Sequence, residues 1–359
     1  MVNESGSNLA SSIPSATQTA REFMSPPICD SLFLAPVTAN EIEVEIAKLN
    51  ASKALGPFSI PIDILKILKG ELERELKFLY RNVESFVLFV GHPRSGHSLV
   101  AAILDSHSEI IISDEFNLLY KFDSFFKNPS QTDDERKLRI FYDLHTRSRR
   151  QAMFGSRSSI CDSSVSYCYN IKGGWQGSCK SKLKVIGDKK ASETTALLHH
   201  EKGLHDLRKL EKVVGIPIKL INVIRNPFDN IATICRMRLR VNPRSHQIVR
   251  NTTALDFCIN SYFKKVRTVQ YLRDLSHYQI LNVYNRDLIA NPRRTLQMLC
   301  DFVGVSCYSE FVELATRDLY SKSSRTRYLV EWSNKQKEKV MKEIQKYSSL
   351  KSLFSFDSD

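Results

Sequence analysis

The stretch "FVLFVGHPRSGHSLVAAILDSH", residues 86–107, limits the fold of this chain more than any other. Five apolar residues run into a polar turn bearing Gly91 and Gly96, and an amphipathic helical pattern follows. A strand, a tight turn and a helix start, in that order, make a cradle for an anion. The first N–H groups of a helix lack intrahelical partners, the positive end of its dipole lies there, and glycine lets the backbone come close. A phosphate is the expected guest. The two glycines have the spacing of G-x-x-x-x-G-K-[ST], but His97 stands in the lysine position ahead of Ser98. Without the ammonium that clamps terminal phosphates, a triphosphate is poorly served. A smaller phosphate held by Arg94 and the N–H groups of Ser95 to Ser98 is well served. An ordinary glycine turn is the alternative.

Further apolar, β-rich runs follow at "KLKVIGD" (182–188), "IKLINVIR" (218–225) and "YQILNVYN" (278–285), with helical stretches over 196–214 and 251–275 between them. Continuous rather than alternating runs are what buried parallel strands look like. The expected fold is α/β, a P-loop NTPase-like parallel sheet flanked by helices, over residues 85–352. Ligands of such sheets sit beyond the carboxyl ends of the strands. Each run ends in a polar cluster: Arg94-Ser95, Asp188-Lys189, Arg225-Asn226 and Arg286-Asp287. A further apolar strand in "EIIISDEFNLLY" delivers Asp114 and Glu115, carboxylates suited to taking a proton.

The region ahead of this domain differs. Residues 1–30 are polar and Ser/Thr-rich, which predicts a disordered tail. Residues 31–84 predict a helical segment, opened by a capping box from Thr38 to Glu41, broken near Gly56-Pro57 and resumed from about Ile62 to Arg81. The formal net charge of +13 calls for an anionic partner without choosing among nucleotide, glycan, membrane surface and nucleic acid. No run approaches the roughly 18 to 20 apolar residues of a membrane helix, nor is there a secretory signal core, so the chain as written reads as cytoplasmic. Its eight cysteines include no C-x-x-C pair, and no metal site is implied. Cys161, Cys168 and Cys179 crowd one stretch, where reduced loop thiols are expected over a disulfide.

Two resemblances bear on these readings. "SLFLAPVTANEIEVEIAKLNASKALGPFSIPIDILKIL" resembles the start of the reverse transcriptase domain of non-LTR retrotransposons, with its K-x-x-GP-x-x-IP stretch. No Tyr-x-Asp-Asp occurs in the chain, so the metal ligands of such a polymerase are missing and polymerisation is excluded. The segment reads as a retroelement remnant joined to another gene, or as a gene-prediction fusion.

"GHPRSGHSLVAAILDSH" resembles the 5′-phosphosulfate loop of sulfotransferases that use 3′-phosphoadenosine-5′-phosphosulfate, with His97 where Ser or Thr is usual. "VIRNPFDNIAT" (223–233) resembles the 3′-phosphate site of the same family: Arg225 ends a strand and Thr233 follows eight residues later. An arginine fork and a hydroxyl about two helical turns apart can converge on one phosphate. "VYNRDLIANPRRTLQMLCDFVGV" (283–305) matches a largely architectural segment of the family. "SKSSRTRYLVEWSNKQKEKV" (321–340) matches the C-terminal loop over the adenosine 3′-phosphate and makes Arg325 and Arg327 candidates, with a solvated basic segment as the alternative. Lys189 falls beside the acceptor in many relatives, or is surface charge.

The resemblance implies transfer of a sulfuryl group from 3′-phosphoadenosine-5′-phosphosulfate to a hydroxyl or amine of a carbohydrate, protein or small molecule. Pro93, Arg94, Ser95, Gly96, His97, Ser98, Arg225, Thr233, Arg325 and Arg327 would hold the donor. Arg94 would also bear charge on the leaving phosphate. Glu115 matches the glutamate found here in tyrosylprotein and several carbohydrate sulfotransferases and would be the base, with His107 as its rival or a packing residue. The implied partners are the nucleotide donor and an acceptor, for which an anionic glycan suits the charge. Relatives with such a loop are often anchored Golgi enzymes, so a Golgi lumen location stands beside the cytoplasmic one. The readings from other classes are a catalytically degenerate nucleotide- or nucleic-acid-binding module, unsupported by any aromatic-studded RNA motif or zinc finger, and a nucleotide kinase, which the missing lysine weakens.

Overall fold

Strands β1 (Ser85–Gly91), β2 (Ile110–Asp114), β3 (Val185–Lys189), β4 (Ile218–Ile224) and β5 (Gln279–Tyr284) form one sheet in the order β2-β3-β1-β4-β5. Every neighbouring pair is parallel, with Phe86 opposite Ile218 and Val87 opposite Gly187. The computed structural model describes residues 73–154, 171–180, 182–317, 319 and 321–358. The expected tail over 1–30, the Thr38–Glu41 capping box and most of the 31–84 segment lie outside the described residues.

Parallel neighbours cannot be joined by hairpins, so helices fill the crossovers. The main helices are α1 (73–80) ahead of β1, then α2 (His97–Asp105), α3 (Asp133–Phe154), α4 (Ala191–Leu198), α5 (Glu201–Val214), α6 (Pro227–Arg238) and α7 (Thr252–Asp274) between strands, and α8 (Pro292–Val303) and α9 (Asn334–Ile344) after β5, with further helical segments such as Ser309–Arg317. Residue alternation along β1 decides which helices cover which face. Phe86, Leu88 and Val90 pack with Tyr80 of α1, Phe141 of α3 and Leu207 of α5. Val87 and Phe89 pack with Ile103 of α2 and Leu299 of α8 on the other side. A third core joins α6 and α7 to the C-terminal residues through Phe228, Tyr262, Trp332 and Phe354.

Local signals set the ends of these helices. Asn226 caps α6 by accepting from the Phe228 N–H, with Pro227 in the first turn. Gly304 closes α8 at φ 92°. The helical run expected over 196–214 is two helices, because His200 is extended and restarts the chain as α5.

The packing unit begins ahead of residue 85. Leu76, Tyr80 and Val83 are buried in the core under β1, and the Tyr80 hydroxyl hydrogen-bonds His145 Nδ1 at 3.1 Å. Cys179 also differs from expectation. It is fully buried and disulfide-bonded, not a reduced loop thiol, and its partner lies outside the described residues. Among the described residues no helix is long and apolar enough to cross a membrane.

Candidate active site

Beyond the carboxyl ends of β1, β3 and β4 lies a cleft of about 490 Å³, within the usual range for small-ligand sites. Its rim begins with the turn between β1 and α2. Arg94 sits at φ 66° and Gly96 at φ 103°. Position 96 calls for glycine because a φ of 103° is strained for any residue with a side chain, and a Cβ there would also push on Nδ2 of Asn285 at 2.7 Å. The turn aims the N-terminus of α2, which has no acidic residue in its first turn, at the cleft. Ser95 donates to the His92 carbonyl at 3.1 Å and shares a 3.2 Å hydrogen bond with His97 Nδ1. Burial and then the nearby Lys189 charge push the His97 imidazole down to about 3, so it is neutral at physiological pH.

The end of β3 supplies the second wall. Lys189 is buried, and its ammonium donates to Ser98 Oγ at 2.9 Å and to Glu115 Oε1 at 2.8 Å while also pairing with Asp114. Lys190 holds the other oxygen of Glu115. Burial favours the neutral form of the Glu115 carboxyl, but the charge and hydrogen bonds of the two lysines outweigh it and bring it to about 2. Glu115 owes its place to a strained turn, with φ 62° at Glu115 and 66° at Asn117. The buried carboxylate of Asp188 pins that turn. It accepts from Ser113 Oγ at 2.9 Å, Phe116 N at 3.2 Å and Leu118 N at 2.8 Å. Its role was not read from the sequence, where Asp188 counted only as a strand end.

The third wall comes from β4 and α6. Arg225 Nη1 donates to Thr233 Oγ1 at 3.2 Å and to the Arg94 carbonyl at 3.4 Å. Its Nη2 donates to Thr326 Oγ1 at 3.1 Å and to the Ser324 carbonyl. The guanidinium therefore ties the phosphate-type turn to the strap over residues 322–329. Pro93 to Ser98, Glu115, Arg225 and Thr233 all line the one cleft, as do Lys189 and Lys190.

Two expected residues are placed elsewhere. Arg327 is 1% exposed, and its Nε and Nη2 grip the Asp229 carboxylate at 2.9 and 2.7 Å. Its Nη1 donates to the carbonyls of Phe356 and Ser358. It fastens the strap and the C-terminus to α6 and does not line the cleft. Arg325 is exposed at the start of the strap's 3-10 turn and does not line it either. Lys322, Ser323 and Ser324, a few residues earlier, occupy the wall that the sequence assigned to the two arginines. Lys189 is a buried cleft group, not surface charge. His107 is a packing residue: its Nε2 meets the Ser306 carbonyl at 2.9 Å, and its ring lies against Tyr308 and Phe311.

The cleft presents the cations Arg94, Lys189, Lys190, Arg225 and Lys322 against three carboxylates, Asp114, Glu115 and Glu193. That balance suits an anionic ligand with more than one charged group. Among the described residues no group of three or more His, Cys, Asp or Glu is placed to hold a metal ion.

A profile of the sulfotransferase family matches residues 87–310, more than half of the chain, and spans all three walls up to the strap. The chain belongs to the sulfotransferase family. Solved sulfotransferases are similar to it at low identity. One from Mycobacterium avium is 10% identical, with 91% of this chain and 100% of that one covered and a TM-score of 0.42. One from Alicyclobacillus acidocaldarius is 14% identical, with 76% and 96% covered and a TM-score of 0.37. A mouse sulfotransferase complexed with PAP is 12% identical, with 77% and 88% covered and a TM-score of 0.38. No curated protein matches the chain. The roles of individual residues in this sulfotransferase therefore rest on its own geometry.

Proposed function

We propose that this sulfotransferase takes its sulfuryl group from 3′-phosphoadenosine-5′-phosphosulfate and passes it to a hydroxyl or amine. One observation carries the reading: Arg225 bonds both the Arg94 carbonyl and Thr233, so two anion cradles share one cleft. The 5′-phosphosulfate would lie on the N–H groups of Ser95 to Ser98 with Arg94 and Lys189 around it. The 3′-phosphate would displace the Ser324 and Thr326 contacts of Arg225 and take its fork together with the Thr233 hydroxyl.

In the transfer, an acceptor oxygen or nitrogen forms a bond to sulfur as the bond from sulfur to the bridging phosphate oxygen breaks. The electron pair leaves on adenosine 3′,5′-bisphosphate, where Lys189 and the α2 N-terminus stabilise the charge. The acceptor proton goes to Glu115. Bound to two ammonium groups, Glu115 is ionised but weakly basic. A donor sulfonate that draws Lys189 toward itself frees an oxygen of Glu115 and raises its proton affinity as the acceptor arrives.

The disulfide at Cys179 favours work in an oxidising compartment such as the Golgi lumen over the cytoplasm.

Calorimetry on Arg225→Ala tests the donor. Affinity for adenosine 3′,5′-bisphosphate is expected to fall by about 1.5–3 kcal/mol, the worth of hydrogen bonds to a charged group. Adenosine 5′-phosphosulfate, which lacks the 3′-phosphate, should lose little. Equal losses for the two ligands would remove Arg225 from the 3′-phosphate and the donor reading with it.

A further inference from the structure

The loop leaving α6 at the mouth of the cleft has a charge pattern that donor binding does not use. Met237 of α6 lines the cleft, and residues 236–250, "RMRLRVNPRSHQIVR", hold five arginines and no carboxylate. Arg236 alone points inward. It is 5% exposed and donates from Nη2 to the Asn242 carbonyl at 3.4 Å and to that of Ser245, and from Nη1 to the Gln247 carbonyl. The same guanidinium reaches the Leu329 carbonyl of the strap at 3.5 Å. Val249 completes the join, donating to Leu329 O at 3.0 Å and accepting from Glu331 N at 2.9 Å. The loop is thus a fixed wall laced to the strap that holds Arg225.

Its outer side is cationic. Arg238, Arg240, Arg244 and Arg250 are exposed, with Arg238 lying over the Phe257 ring at 3.9 Å and Arg250 pairing with Glu331 at 3.1 Å. Arg240 takes φ 55° in the turn that ends α6, where its N–H donates to the Met237 carbonyl at 3.0 Å. Guanidinium groups fixed on such a wall match carboxylates and sulfates in pairs. Part of the wall's main chain is engaged inside the protein: the carbonyls of Asn242, Ser245, Gln247 and Val249 accept there, and the Val249 N–H donates. The four exposed arginines and the lack of any carboxylate over 236–250 favour a ligand with repeated anions.

We infer that the 238–250 loop selects the acceptor, and that the acceptor is a saccharide chain bearing carboxylate or sulfate groups beside the hydroxyl or amine to be sulfated. This rests on the proposed transfer reaction and names the class of its second substrate. The chain's repeated anions lie along Arg240 and Arg244 while the reacting group enters past Met237 toward Glu115.

The test uses the full chain, a heparin-type sulfated oligosaccharide, its neutral desulfated and carboxyl-reduced counterpart, and a polyglutamate peptide of equal charge. Arg240→Asn/Arg244→Gln is compared with Arg208→Gln/Lys212→Gln, which removes two exposed charges from α5 instead. Asparagine is chosen at 240 because it tolerates a positive φ. The parent should bind the sulfated oligosaccharide and not the neutral one. The loop variant should lose tenfold or more in that affinity, and the α5 variant less than twofold. Both should keep the parent's affinity for adenosine 3′,5′-bisphosphate. Equal losses in the two variants, absence of oligosaccharide binding, or a tighter hold on polyglutamate would each overturn the inference. A parent that binds the oligosaccharide through Arg240 and Arg244 but does not bind the bisphosphate supports the loop assignment and overturns the donor reading alone.

Discussion

Lys189 reaches from the end of β3 to the first turn of α2, where its ammonium donates to Ser98 Oγ at 2.9 Å. The same ammonium holds Glu115 at 2.8 Å. One buried cation thus joins the helix start we propose for the leaving phosphate to the carboxylate we propose for the acceptor's proton.

Lys189→Met keeps the length of the side chain and deletes the charge. Turnover is expected to fall by about 10²–10³, the range for losing one donor to a developing anion. Bisphosphate affinity should fall by about 10–150-fold, the roughly 1.5–3 kcal/mol of one hydrogen bond to a charged group. Removing one partner of a buried pair also threatens the fold. Glu115→Gln/Lys189→Met, which leaves no unpaired charge at 115, should recover part of any lost melting temperature without recovering turnover. Glu115→Gln alone should lose about 10²–10⁴ in turnover, as for a general base, with donor affinity nearly unchanged. Single-turnover assays with calorimetry on the three variants check this, and unchanged turnover in Lys189→Met would reduce Lys189 to structural glue.

Much of this site was legible in the sequence because two of its walls are local in the chain. The turn from Gly91 to Ser98 joins a strand to a helix directly, and Arg225 and Thr233 sit on one strand end and the next helix. The parallel sheet was legible for a similar reason, since buried strands leave continuous apolar runs. Side chains that meet across long separations were not legible. Asp188 pins the Glu115 turn from 70 residues away at Leu118. Asp229 takes Arg327 out of the expected lid from 98 residues away. A basic, hydroxyl-rich stretch does not reveal which of its members line a cleft, and here Lys322, Ser323 and Ser324 do so while Arg327 turns inward. The split of the 196–214 helix was missed because His199-His200 interrupts no apolar period.

Asp105, at the end of α2, should make stability depend on pH with a distinctive sign. Burial raises its carboxyl from 3.8 to about 7, against the opposing hydrogen bonds from Ile112 N and Ser148 Oγ. The folded state then holds a proton that the unfolded state has released between pH 3.8 and about 7. Stability contributed by the protonated form is full below the lower value and is lost as pH rises through the upper one, at about 1.4 kcal/mol per pH unit in between. Asp105→Asn imitates the protonated acid, so denaturation curves across this window should lose that component of slope. An identical slope in the variant would show that Asp105 is ionised throughout.

The Arg327–Asp229 pair separates a structural role from a ligand role. Both side chains are buried and their guanidinium–carboxylate contact is bidentate. Arg327→Ala leaves the Asp229 charge buried alone, and about 3–5 kcal/mol of stability should be lost. At a temperature where the variant remains folded, bisphosphate affinity should change far less than in Arg225→Ala. A selective loss of affinity with normal stability would return Arg327 to the ligand.

Deletions ahead of β1 locate the true start of the packed domain. Removing residues 1–72 takes away no phosphate-binding motif and leaves Leu76, Tyr80 and Val83 in place under β1. Bisphosphate binding and melting temperature should therefore stay close to those of the whole chain. Removing residues 1–84 also takes Leu76, Tyr80 and Val83 from the core and the Tyr80–His145 hydrogen bond with them. Each buried side chain of this size contributes about 1.5–3 kcal/mol, and whole domains have only about 5–15 kcal/mol to lose. The longer deletion should be unfolded or molten by near-ultraviolet circular dichroism. A well-folded product from it would put the domain boundary at 84, as composition alone suggests. If the deletion of 1–72 fails to fold although it expresses, the retroelement-like segment is an integral part of this sulfotransferase.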